Sequence, residues 1–158
     1  MNSELEELYQ QVILEHSKRP RNFGEIPEGA VHVHGDNPSC GDEIHLHVKF
    51  AGDGSVQDVK FTGQGCAISQ ASASLMTLKI KGKPRAEATA LADAFTELVT
   101  KDSAAESPAP KALGDLQLFH GVRKFPQRVK CAMLAWRAFE QALAQSPATE
   151  GEVSTETP

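Results

Sequence analysis

Apolar residues recur along this chain with two periods, and the change of period divides it into a helical opening, a sheet and a helical second half. Leu5, Leu8, Tyr9, Val12 and Ile13 fall at helical spacing behind Ser3 and Glu6, the separation of a capping box. Lys18-Arg19-Pro20 supplies a basic last turn and a stop, which predicts a helix over about 4–18. Ile44, Leu46, Val48 and Phe50 then alternate with His45, His47 and Lys49, the period of a strand with one wet face. Gly52-Asp53-Gly54 reads as a turn into a returning strand over 56–61, and Val31 and Val33 mark a third strand. Gly63-Gln64-Gly65-Cys66 interrupts the strand pattern, and a helical pattern runs from Ser69 until Gly82 and Pro84. Further helices are predicted over about 86–99, 113–122 and 127–143, with a Ser/Ala/Pro-rich surface loop over 101–110. The predicted fold is α+β: a small antiparallel sheet of three strands with helices on one face.

The chain has 158 residues, 40% of them hydrophobic, enough for one domain with its own core and without disulfide staples. Residues 1–145 are expected to form that single domain, and the polar, acidic stretch 146–158 a disordered tail. No apolar run approaches the ~20 residues that cross a bilayer. The opening Met1-Asn2-Ser3-Glu4 lacks the basic flank and apolar stretch of a secretory signal, so a cytoplasmic location and no membrane association are expected. Net charge is −5, and Glu150, Glu152 and Glu156 supply three of those charges. Nothing resembles a basic stripe that would neutralise phosphates, so no nucleic-acid partner is expected.

The chemistry rests on three cysteines, an odd number that argues against a disulfide framework. In a reducing compartment such residues are buried fillers, metal ligands or nucleophiles. Cys40 lies in the turn-forming Asn37-Pro38-Ser39-Cys40-Gly41-Asp42, Cys66 follows two glycines between strand and helix, and Cys131 falls in the first turns of the last helix. Helix starts favour thiolate over thiol, which predicts a lowered pKa for Cys66 and Cys131. Asp42 is two residues from Cys40, so one tight turn can aim both at one ion. Three thiolates and a carboxylate suit tetrahedral Zn²⁺, and Arg123, Lys124, Arg128 and Lys130 stand nearby in sequence to offset the anionic set. No Cys-x-x-Cys pair is present, so spacing alone leaves three packed, unrelated cysteines as an alternative.

Four segments together resemble the U-type iron–sulfur cluster assembly proteins, the NifU N-terminal-like family. They are Tyr9-Gln10-Gln11-Val12-Ile13-Leu14-Glu15-His16 with Pro20-Arg21-Asn22, the segment around Cys40, Phe61 to Ser74 around Cys66, and Phe125 to Trp136 around Cys131. The similarity spans about 5–145. Scaffold members usually carry a histidine directly before the third cysteine, where this chain has Lys130, and a shorter spacer than the 65 positions between Cys66 and Cys131. Both departures resemble the SufU branch, the zinc-dependent sulfurtransferases of the SUF system. That resemblance implies Zn²⁺ on Cys40, Asp42, Cys66 and Cys131. It implies that Cys40 is the catalytic residue, accepting persulfide sulfur from a pyridoxal-phosphate-dependent cysteine desulfurase that the protein stimulates. A downstream SUF scaffold or another sulfur acceptor would follow. Arg128 would pair with Asp42 or steady the anionic site, and Lys130, an ammonium, is not a usual iron ligand. The alternative is a scaffold on which an iron–sulfur cluster is assembled and passed to apoproteins.

The remaining candidates have plainer readings. His45 and His47 share a strand face, as do His32 and His34; a pair of either kind can bind metal, but the alternation also fits solvated faces of half-buried strands. His120 lies near the basic segment, and its role is open. Trp136 and Phe139, at helical spacing, are expected in the core.

Overall fold

The computed structural model describes residues 3–100, 111–145 and 150–154. Helix α1 (Ser3–Lys18) leads through an irregular stretch into strands β1 (Val31–Asn37), β2 (Asp42–Phe50) and β3 (Val56–Gln64). Helices α2 (Ala67–Ile80) and α3 (Arg85–Thr100), a kinked 3-10 segment (Lys111–Lys124), helix α4 (Pro126–Ala144) and a short strand β4 (Glu150–Ser154) follow. The predicted loop over 101–110 lies outside the described residues.

The three expected strands are antiparallel, β1 pairing with β2 and β2 with β3. Two details differ from expectation. β3 does not stop before the glycines but runs to Gln64, because Gly63 sits opposite Ile44 where the neighbouring backbone leaves no room for a side chain. Residues 150–154, expected to be disordered, instead pair parallel with β1 in a sheet of order β3-β2-β1-β4. The outer edge of β1 offers unpaired ladder groups, which a polar segment can satisfy through its backbone alone.

Strand alternation sorts the residues by face. Val31, Val33, Ile44, Leu46, Val48, Val59 and Phe61 are buried beneath the helices, while His32, His34, His45, Lys60 and Thr62 stand half-exposed on the open face. α4 packs on β1 and β2, and α2 on β3. Trp136, Phe95, Phe119 and Phe139 are fully buried, with Trp136 stacked on Phe95 at 4.8 Å, so the expected core assignment of Trp136 and Phe139 holds. α2 is lined by small buried residues, Ala71, Ser72, Ala73 and Ser74, which let α1 and α4 approach closely. The Ser72 hydroxyl donates to the Ala132 carbonyl at 2.6 Å and accepts from the Trp136 indole at 3.2 Å. These bonds set the register of α4 beside Cys131.

Candidate metal centre

Three backbone features converge at one end of the sheet. The β1–β2 connection carries Cys40, whose N–H bonds to the Asn37 carbonyl at 3.2 Å, and Gly41 at φ +70° turns the chain into β2. Asp42, at the first position of β2, points to the helix-covered face and is 2% exposed. Cys66 is the N-cap of α2, its sulfur accepting from the Ser69 N–H at 3.5 Å. Cys131 lies on the inner face of α4, fully buried.

Potential ligand atoms of Cys40, Asp42 and Cys131 all lie within 4.8 Å of one another. Cys66 closes the group: its sulfur is 3.9 Å from Asp42 Oδ2, it hydrogen-bonds with Cys131, and its N–H donates to Asp42 Oδ1 at 2.8 Å. Side chains separated by up to 91 positions thus lie close together, Cys66 joining through Asp42. The fit to a divalent cation follows from the donor set. Three sulfurs and a carboxylate crowd a largely buried volume, and among the described residues no cationic side chain forms an ion pair with Asp42. A borderline-soft ion bound tetrahedrally by thiolate and carboxylate satisfies such a set.

Acidity within the group is uneven. A hydrogen bond from Cys131, reinforced by the Ser69 N–H, lowers the Cys66 pKa to about 6, against 9.0 for an ordinary thiol. Cys131 moves the other way: it holds the proton shared with Cys66, is buried, and faces Asp42 and Cys40. The expectation of a lowered pKa therefore holds for Cys66 and is corrected for Cys131. A position in the second turn of α4 does not offset burial among anionic neighbours.

Two residues not singled out from the sequence complete the arrangement. Asn37, fully buried, donates from Nδ2 to Asp42 Oδ2 at 3.2 Å and to the Cys131 sulfur at 3.6 Å. Its position opposite Asp42 in the β1–β2 ladder puts its amide there. Gly65, at φ +147°, passes so close to Asp42 that any Cβ would collide with the carboxylate. A buried amide at the end of an alternating strand was the available signal for Asn37; nothing in the sequence places Gly65 against Asp42.

The basic residues are arranged differently. Arg128 is exposed on the first turn of α4, and no ion pair joins it to Asp42 among the described residues. Asn37 and the Cys66 N–H hold that carboxylate instead. Lys130 is half-buried, one residue before Cys131. His120 is half-buried in the 3-10 segment. No described helix is long and apolar enough to cross a membrane.

Comparison with known proteins places this geometry in a family. The model of the NifU-like N-terminal domain matches residues 8–132. An "Iron-sulfur cluster assembly scaffold protein IscU" of Streptococcus pyogenes is 48% identical over 144 residues, 91% of this chain and 87% of that protein. The "Zinc-dependent sulfurtransferase SufU" of Bacillus subtilis is 44% identical over 144 residues, 91% of this chain and 95% of that protein. The crystal structure of a "putative iron-sulfur cluster assembly scaffold protein for SUF system" from Fervidobacterium islandicum superposes with a TM-score of 0.75 at 36% identity, covering 84% of this chain and 94% of that one. The chain belongs to the NifU-like N-terminal domain family.

Proposed function

We propose that this protein is a zinc-dependent sulfur acceptor in iron–sulfur cluster biogenesis, taking persulfide sulfur from a cysteine desulfurase. The observation that carries the reading is the gathering of Cys40, Asp42, Cys66 and Cys131 into one group with unequal access. Zinc held there by these four side chains would keep the sulfurs deprotonated near neutral pH. A carboxylate among the donors gives a harder ligand than a fourth thiolate, better suited to exchange.

Cys131 is buried and Asp42 is tied by two hydrogen bonds, so both serve as anchors. Cys66 is held in the N-cap of α2. Cys40 is half-exposed on a four-residue connection and is the sulfur that can leave the group with the least rearrangement. Its thiolate attacks the terminal sulfur of the desulfurase persulfide. The S–S bond breaks, the desulfurase cysteine departs as thiolate, and Cys40 carries the new persulfide; no oxidant or reductant is consumed. Pyridoxal phosphate belongs to the desulfurase in this scheme.

The test is transfer of radiolabelled sulfur from cysteine in the presence of a pyridoxal-phosphate desulfurase. Cys40→Ser should reduce labelling to background with the far-UV spectrum unchanged. Undiminished labelling would remove Cys40 from the acceptor role, and a label mapped to Cys66 would assign the role to the more acidic thiol. The second reading is a cluster scaffold, favoured by the name and 48% identity of the streptococcal relative. Protein isolated without oxygen discriminates the two: colourless with one zinc for the sulfur acceptor, brown with iron and sulfide for the scaffold.

A further inference from the structure

The open face of the sheet carries a second cluster, independent of the cysteines. Side chains alternate along β2, so Asp42 points toward the helices and Glu43 points away from them. On that outer face the ladder sets His34 opposite His45 and His32 opposite His47. Glu43 is two positions along β2 from His45. Its carboxylate straddles two imidazoles, with Oε2 3.2 Å from His34 Nε2 and Oε1 3.8 Å from His45 Nε2. One donor atom from each of His34, Glu43 and His45 fits within a mutual spacing of 4.8 Å.

We propose that His34, Glu43 and His45 form a second metal site, taking a first-row divalent ion of the Zn²⁺ or Co²⁺ type. Two imidazole nitrogens and one carboxylate oxygen are a borderline donor set that leaves further positions for water. All three residues stand on paired strands, so the backbone ladder holds the set in place without a flexible loop. The neighbouring histidines supply the outer support that a ligating imidazole needs. His45 Nδ1 lies 3.2 Å from His32 Nε2, so His45 can donate its Nδ1 proton there and leave Nε2 open to the ion. His32 in turn stacks on His47 at 4.5 Å with ring planes 13° apart, and His34 stacks on His45 at 4.6 Å. The side chains of His34, Glu43 and His45 are 31%, 43% and 38% exposed, which leaves an approach from solvent. The two centres would then lie on opposite faces of the sheet, reached from adjacent residues of β2.

The experiment uses the full chain without a histidine tag, loaded with one equivalent of Zn²⁺ and titrated with Co²⁺ by calorimetry and visible absorption. A second equivalent should bind, with weak d–d bands and without the near-ultraviolet sulfur-to-cobalt band. The double variant His34→Ala/His45→Ala should lose it, as should Glu43→Gln by at least about tenfold. His32→Ala should weaken it about tenfold, since it removes the partner of His45 without removing a ligand. The Cys40→Ser variant, loaded in the same way, should keep it, so failure here is distinct from failure of the sulfur-acceptor reading. A wild-type stoichiometry of one, half-saturation at ~1 mM or weaker, or a second equivalent undiminished in the double variant would each overturn the proposal.

Discussion

Two buried polar clusters of this protein meet α2 at different places, and they differ in whether the protein satisfies them. At the seam between α1 and α2, His16 Nδ1 lies 2.7 Å from the Ser74 hydroxyl, which also accepts from the Arg21 N–H at 2.8 Å. Asn22, at φ +56°, donates to the Thr77 hydroxyl at 3.0 Å, and Thr77 donates to the Ser74 carbonyl at 2.7 Å. Every group named there has a partner, and the groups are neutral. At the start of α2 the opposite holds. Asp42 and three sulfurs face one another, with the Asn37 amide and the backbone N–H groups of Cys66 and Ser69 among their donors. Satisfied polar groups hold a fold, whereas a buried cluster of sulfurs and a carboxylate is a donor set suited to a ligand. Both clusters belong to segments that resemble the same family, yet of the two only the second gathers side chains that could hold a metal ion.

Removing a metal should break this contrast most strongly. An ion bound a thousandfold above its dissociation constant stabilises the folded state by about 4 kcal/mol. Chelation should therefore lower the unfolding free energy of the zinc-loaded protein, read from urea titration, by that order while leaving it folded, because the core from Val31 to Phe139 does not depend on the cysteines. Hydrogen exchange should locate the loss at the β1–β2 connection and the first turn of α2, with the amides around Ser74 unchanged. Equal loss of protection at Ser74 would contradict the separation of the two clusters.

Ser74→Ala is the converse. It leaves His16 Nδ1 and the Arg21 N–H without their acceptor or donor, at a cost of about 2 kcal/mol. Zinc content and sulfur acceptance should be unchanged once the protein is folded. A parallel loss of zinc affinity would show that the seam and the metal centre are coupled through α2.

Asn37→Ala acts on the cysteine cluster without removing a ligand. Asp42 and Cys131 lose the amide they share, and zinc affinity should fall about tenfold, the lower end for partners of metal ligands. Competition with a chromophoric chelator measures this directly. An unchanged affinity would leave the amide only a structural part.

Legibility in the sequence follows the same division. Periodicity revealed the helices and three strands because each buries one face, and Cys66 was recognisable at a helix start because glycines precede it. β4 was not, since Glu150-Gly151-Glu152-Val153-Ser154 has no apolar alternation and pairs through backbone alone. The ligand candidates were legible as residue types in turn contexts. The order of their acidities was not, because it depends on which thiol donates to which, and that is set by packing of α4 on α2. Arg128 looked close to the site in sequence, but the turn of α4 carries it to the surface. The histidines of β1 and β2 were visible as shared faces; that His34 meets His45 depends on register, which a four-residue connection fixes and composition does not.

The smallest expected effect concerns pH and separates the two clusters by the source of their titration, an imidazole in one and a thiol in the other. Burial, and then the nearby Arg21, hold the His16 pKa below its usual 6.5, so the folded state favours the neutral ring that accepts from Ser74. An unfolded chain takes up that proton at higher pH. The contribution is therefore complete above 6.5 and is lost as pH falls through the lower folded value. His47, lowered chiefly by burial and then by His32, adds a slope of the same sign. In metal-free protein the Cys66 thiolate adds stability as pH rises above about 6. His16→Asn places an amide oxygen where Nδ1 accepts and removes only the first of these. Urea midpoints of metal-free wild type and variant should diverge as pH falls from 7.5 to 5.5, with the variant declining less steeply, since His47 and Cys66 contribute alike to both. Parallel lines would mean that the His16 ring is not held neutral by the seam, and the contrast between a satisfied cluster and an unsatisfied one would lose its titratable member.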